Sequence, residues 1–373
     1  AGSNSTQGFL RDPGDDRHEN IQFLVFCAAV MRGVHKFGPL LRAVVATASN
    51  DHRLGANEAP PAIISVYLGT QLEDVFEQIQ KGDLTGFIPN GVMDFGVPTL
   101  PSFVKDSGDR NRTSPFAFTG NRFEFRAVGS NQSVAGPLIA MNTILADSLD
   151  WIANKLESQI SAGTELEAAI FGVFKEIMDD HGAVVFGGDG YSEEWHKMAV
   201  EERGLLNLPT TADALPYLKD KSIEELFEKT GVLSPTELES RFEVYAEQYI
   251  LSIEVEANLV VDMAKTLIYP AAVKYVTELA SAISGFKELG IDFNLKIAKK
   301  SGELTNKIVD LTDELSIALE KEEFESTEEH MQYFAPTIRP LMDKIRVCAD
   351  TLEGELADEL WPLPKYQEMW FIK

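Results

Sequence analysis

The sequence predicts an α+β fold: a front part of short, mainly antiparallel strands among helices, followed by a mostly α-helical bundle. Three observations carry this expectation. Ile63-Ile64-Ser65-Val66-Tyr67-Leu68 is short, β-branched and closed by Gly69, the pattern of a buried strand. Ser114–Thr119 and Asn121–Val128 flank Gly120 in the manner of a hairpin. From Ser133 onward helical periodicity dominates.

In chain order, the segment from Glu19 to about Thr47 reads as a helix, apolar on most faces and hence buried, with a bend at Gly38-Pro39. A loop, Ala48–Pro61, leads into the strand, and Gln71–Lys81 has the pattern of an amphipathic helix. Gly82–Gly108, with several Gly and Pro, reads as an excursion from the sheet. Ser133–Leu156 and Glu165–Met178 are helices. Ser234-Pro235-Thr236-Glu237 joins an N-cap Ser, a first-turn Pro and a capping-box Glu. A long helix is expected to start there and run to about Tyr269, where Pro270 interrupts it. Ala271–Leu289, Phe293–Lys321 and Glu328–Glu353 continue the pattern, the last kinked at Pro340. An antiparallel bundle is the simplest way to pack such segments.

Of the 373 residues, 59 are acidic and 33 basic, for a formal charge of −26. Nucleic acid and anionic lipid both demand basic surface, so neither is expected as a partner. The longest apolar run, Ile21 to Val34, is broken by Arg32 and is too short to span a bilayer. The only cysteines are Cys27 and Cys348, at opposite ends of the chain, which points to a reducing compartment. The charge is uneven: residues 1–150 carry a net −4 and residues 151–373 a net −22. Nine of the basic residues in the first part are Arg, which makes it the place to seek an anionic ligand.

The most informative segment is Asn121-Arg122-Phe123-Glu124-Phe125-Arg126. Side chains alternate along a strand, so Phe123 and Phe125 share one face while Arg122, Glu124 and Arg126 share the other, about 7 Å between alternate residues. One carboxylate between two guanidiniums suits a metal–phosphate site, with Glu124 on a divalent cation and the arginines on phosphate or carboxylate oxygens. The plain alternative is a surface cross-strand ion-pair ladder. Glu193-x-x-His196 has carboxylate–His spacing, but a di-iron bundle needs a second such pair and none appears. Phe186–Tyr191 lacks the Lys-Ser/Thr of a P-loop, and the six histidines are scattered and form no metal-ligand pair.

Two long stretches carry a family resemblance. Asn50-Asp51-His52-Arg53-Leu54-Gly55-Ala56-Asn57-Glu58-Ala59-Pro60-Pro61 is followed by Arg110-Asn111-Arg112-Thr113-Ser114-Pro115-Phe116-Ala117-Phe118-Thr119-Gly120-Asn121-Arg122-Phe123-Glu124-Phe125-Arg126. Together they resemble type III glutamine synthetase. Gly187-Gly188-Asp189-Gly190-Tyr191-Ser192-Glu193-Glu194-Trp195 and Leu360-Trp361-Pro362-Leu363-Pro364 resemble the same family, so the similarity runs from about Gln22 to the last residue.

The resemblance implies ligation of ammonia to glutamate, coupled to ATP hydrolysis through a γ-glutamyl phosphate, with Mg²⁺ or Mn²⁺. Carried over position by position, Glu58 matches the loop glutamate that takes the ammonium proton, and Arg53 the arginine that holds substrate glutamate. Arg112 matches the arginine facing the transferred phosphoryl group, and Glu124 a metal-binding glutamate. Arg122 and Arg126 match a nucleotide-side and a substrate-side arginine. A further arginine of shorter glutamine synthetases is replaced by Ala117. The resemblance divides the chain into residues 1–160, the end of the catalytic domain, and residues 161–373, the helical C-terminal region. The family's N-terminal half, with its β-grasp domain and further metal ligands, has no counterpart here, so the chain is expected to be incomplete and inactive alone. The implied assembly is a double-ring homododecamer in the cytoplasm, an organelle being left open. The rival reading is a non-catalytic helical protein of assembly or regulation that carries a relic of the site.

Overall fold

The computed structural model describes residues 20–55, 59–82, 92–93, 103–104, 113–120, 122–129 and 131–370. Asn20 caps the first helix, α1 (Ile21–Lys36), by accepting the Phe23 N–H at 3.0 Å. The expected bend falls at Phe37, and α2 (Gly38–Ala43) restarts with Pro39 in its first turn, where a missing N–H costs nothing. The segment read as a plain loop holds a short helix, α3 (Ala48–Asp51), capped by Thr47.

Within Ile63–Leu68 only Val66–Tyr67 forms ladder pairs, as β1. The amphipathic helix α4 (Thr70–Lys81) ends on Gly82, whose φ of 74° is the left-handed C-cap that glycine adopts without strain. In the excursion, β2 (Val92–Met93) pairs antiparallel with β3 (Phe103–Val104). The hairpin forms as expected, β4 (Phe116–Phe118) and β5 (Phe123–Phe125) turning at Gly120 with φ 97°. The sheet runs β1-β4-β5 and is mixed, since β1 lies parallel to β4 and β5 antiparallel.

Helices follow: α5 (Ala135–Ser161), α6 (Leu166–His181), α7 (Glu193–Glu201), α8 (Thr211–Ala214), α9 (Lys221–Thr230) and α10 (Pro235–Met263). The Ser234 box is made in full: Glu237 N–H donates to Ser234 Oγ at 3.3 Å, and Ser234 N–H to Glu237 Oε2 at 2.8 Å. The chain packs as two compact units, Ala1–Tyr245 and Ala246–Lys373. In the first unit α1 lies against α5 and α6, with Phe23 of α1 against Phe118 of the sheet, ring centroids 5.6 Å apart. The division at residue 160 follows family kinship and remains a proposal.

In the second unit Pro270 does not interrupt the helix. A π turn, Ala264–Ile268, precedes it and α11 (Tyr269–Glu288) continues. A proline lacks the N–H and crowds the carbonyl one turn back, and widening that turn accommodates both. After α12 (Lys296–Leu319), the same device recurs. A second π turn, Phe334–Ile338, joins α13 (Thr327–Tyr333) to α14 (Arg339–Glu355), whose second residue is Pro340, where the sequence places a kink. A short helix, α15 (Tyr366–Met369), follows. α12 packs on both α11 and α14. Its buried Thr305, Ile308, Leu311, Thr312 and Leu315, like Leu341, Ile345, Cys348 and Leu352 of α14, recur every three or four residues, the stripe that a bundle seam needs. Among the described residues no helix is long and apolar enough to cross a membrane.

Candidate functional site

The strand pair divides its side chains as the alternation requires. Phe116, Phe118, Phe123 and Phe125 gather on one face, with ring centroids 5.3–5.9 Å apart. This aromatic face anchors β5 and leaves its other face to the charged residues. There Glu124 sits opposite Ala117, which in turn pairs with Tyr67. Ala117 is fully buried and offers no charge, so the ion pairs run along β5 rather than across the sheet, unlike a cross-strand ladder.

Each carboxylate oxygen of Glu124 takes one arginine. Oε1 accepts from Arg122 at 3.0–3.1 Å and Oε2 from Arg126 at 3.4 Å. Side-chain exposure falls along the row, 60% for Arg122, 33% for Glu124 and 15% for Arg126, so the cluster leans from solvent into the protein. Two guanidiniums against one carboxylate leave a net positive charge at a half-open face. That arrangement favours a ligand rich in anionic oxygens.

Arg53 is exposed in the turn that follows α3, and that turn is built on buried polar groups. Asn50 is fully buried; its Oδ1 accepts from Arg42 Nη1 at 3.0 Å and its Nδ2 donates to Val128 O at 2.9 Å, just beyond β5. Asp51 accepts from Arg42 at 3.4 Å, from Thr211 N–H at 2.9 Å and from Thr211 Oγ1 at 2.8 Å. Arg42 also donates from Nε to Leu208 O at 2.8 Å. A charge this deep is tolerable only when so fully bonded. Gly55 N–H donates to Pro60 O at 3.1 Å and closes the stem of the loop that contains Glu58. Glu58 and Arg112 themselves lie outside the described residues.

The structure therefore gathers Arg122, Glu124 and Arg126 into one cluster and ties the Arg53 turn to the exit of β5. A divalent cation at this cluster would have to compete with the arginines for Glu124 and draw further ligands from outside the described residues. Both Glu124 oxygens are engaged by arginines, and among the described residues no three His, Cys, Asp or Glu side chains converge. Two of the histidines that are scattered in sequence meet in space. His35 of α1 and His181 at the end of α6 bring their Nδ1 atoms to 2.9 Å, 146 residues apart in sequence and with no local signal to announce it. Burial, helped by the neighbouring His35 and Arg32, pushes the His181 pKa down to about 4, and burial also lowers that of His35. One ring donates and the other accepts, so the contact requires that they not both be protonated.

Sequence reading also passed over the support behind the sheet. Phe186 N–H donates to Val66 O at 2.9 Å, and Val185 bridges Val66 in parallel. Phe186 stacks on Trp195 at 3.6 Å and 9°, with the Arg203 guanidinium 5.2 Å from the indole. The Gly187–Trp195 motif is thus joined to the strand system.

Comparison with known proteins bears out the resemblance. Residues 169–287 match the glutamine synthetase C-terminal domain. The chain is 40% identical over 374 residues to the type-3 glutamine synthetase of Dictyostelium discoideum, covering 98% of this chain and 50% of that protein. It is 36% identical to a glutamine synthetase of Bacteroides fragilis, over 97% of this chain and 51% of the relative. With a glutamine synthetase of Butyrivibrio fibrisolvens the figures are 36%, 97% and 52%. The chain spans about half the length of the curated relatives it matches.

Proposed function

As the chain is a relative of the type III glutamine synthetases, we propose that it forms part of an enzyme joining ammonia to the side-chain carboxylate of glutamate with ATP. A carboxylate is a poor acyl donor until it is phosphorylated, so the reaction passes through a γ-glutamyl phosphate. Arg122 lies on the nucleotide side and Arg126 on the substrate side, while Arg53 holds glutamate and Arg112 faces the transferring phosphoryl group. Glu58 accepts the proton that ammonium must lose before it attacks. Glu124 would supply one ligand to a Mg²⁺ or Mn²⁺ ion, and the active assembly would be a homo-oligomer. The cytoplasm is the proposed location.

The observation that supports this reading best is the Arg122–Glu124–Arg126 row, set in a chain alike to glutamine synthetases along almost its whole length. The test is glutamine formation by the native polypeptide that carries these residues, given glutamate, ammonium, ATP and Mg²⁺. Folded protein that consumes no ATP and forms no glutamine would overturn the reading and favour the non-catalytic alternative. The 373-residue chain alone, with one carboxylate at the cluster and no converging group of metal ligands among its described residues, is expected to form none.

A further inference from the structure

The turn Asp189-Gly190-Tyr191 lies between the sheet and α7, and nothing in the proposed chemistry uses it. Its geometry is tightly specified. A Cβ on Gly190 would stand 2.5 Å from Thr113 O and 3.2 Å from the Thr113 carbonyl carbon and Cβ. The obstacle is backbone, which cannot swing aside as a side chain can, so glycine is required here for space. Thr113 is itself buried, and two residues later Pro115 O accepts the Arg126 N–H at 2.8 Å. Any displacement of Thr113 is therefore handed on to the backbone of Arg126.

The turn is also fixed from behind. Asp189 Oδ1 accepts the Tyr191 N–H at 2.9 Å, and Ser192 Oγ donates to Asp189 O at 3.1 Å while accepting the Trp195 N–H at 3.2 Å as N-cap of α7. A ring nitrogen of His196 lies 3.1 Å from Gly190 O. A carbonyl only accepts, so that nitrogen carries the proton. At its other end the segment is held by Phe186 N–H on Val66 O and by the Phe186–Trp195 stack.

We propose that Gly190 and His196 are positioning residues for the arginine strand: the His196-held turn braces Thr113 and so sets where Arg126 meets its anionic substrate. The proposal rests on the role given to Arg126 above. It gives His196 of the Glu193-x-x-His196 spacing a hydrogen-bonding role on the turn, without calling on Glu193.

The experiment compares Gly190→Ala, His196→Ala and His196→Gln in the native protein that carries this chain. Gln keeps an N–H able to reach the carbonyl. Gly190→Ala and His196→Ala are expected to raise the glutamate KM about tenfold with the ATP KM unchanged, and to speed amide exchange at Arg126 about tenfold, with His196→Gln restoring both. Unchanged exchange at Arg126, or acceleration spread evenly through the first unit, would overturn the proposal. So would equal losses toward both substrates. Exchange is read without turnover, so a protein that forms no glutamine refutes the ligase reading and still leaves the latch open to judgement.

Discussion

Asn50 and Val128 are joined by a 2.9 Å hydrogen bond, Nδ2 to carbonyl, that links the turn carrying Arg53 to the exit of the strand carrying Glu124. Asn50 is fully buried and also accepts from Arg42. Asn50→Ala strands the Arg42 N–H and the Val128 carbonyl, and is expected to cost about 1–3 kcal/mol. Urea unfolding measures that cost; a loss below a few tenths of a kcal/mol would mean that the two segments hold their places independently.

Asp51 meets Arg42 and both Thr211 donors with almost no access to solvent. Asp51→Ala removes a carboxylate that meets the buried Arg42 guanidinium and should destabilise by about 3–5 kcal/mol. The drop in denaturation midpoint reports it, and Thr211→Ala, which leaves the charges paired, should cost far less.

Acid weakens the His35–His181 contact. In the folded chain the His181 pKa lies near 4, against an ordinary 6.5, and that of His35 is lowered as well. The unfolded chain thus binds more protons below pH 6.5, and stability must fall as the pH drops through that range toward about 4, then level off. Arg32 and Lys36 of α1 oppose protonation of His181, whereas Asp180 of α6 favours it. Both rings are half exposed, so after solvent screening the loss is about 1–2 kcal/mol. His181→Asn should flatten the stability profile between pH 6.5 and 4. An unchanged slope would assign the acid sensitivity elsewhere.

In the complete protein Glu58→Ala should lower kcat about a hundredfold while leaving glutamate binding nearly intact, because proton removal serves the amination step. Arg53→Ala should act the other way, raising the glutamate KM with a smaller effect on kcat. Steady-state kinetics with glutamate and ammonium varied in turn separate the two. A reversed pattern would exchange the assignments.

Local chemistry was legible in the sequence wherever a single residue dictates the backbone. Gly38-Pro39 ends one helix and begins another, Gly120 turns the hairpin, and Ser234 with Glu237 starts a long helix. Reading fell short where tertiary contacts decide. The β-branched run after Pro60-Pro61 pairs only at Val66 and Tyr67, while Ile63 bridges instead to Asn207, far along the chain. The alternating charges on β5 revealed the cluster, but the groups that support it are remote in sequence: Thr211 beneath the Arg53 turn and Gly190 against Thr113. Nothing local marks Arg42, Asn50 and Asp51 as one buried network.

The π turns at Ala264–Ile268 and Phe334–Ile338 carry a consequence for how these helices tolerate change in length. Each accommodates one residue beyond an α turn, and one residue corresponds to about 100° of rotation about the axis. Trimming a single residue from either segment would hardly shorten the rod. It would swivel everything downstream by roughly a quarter circle, turning Ile345 and Leu352 away from their seam in the one case and the whole of α11 in the other. Insertions and deletions in this region should therefore be far rarer between relatives than point changes.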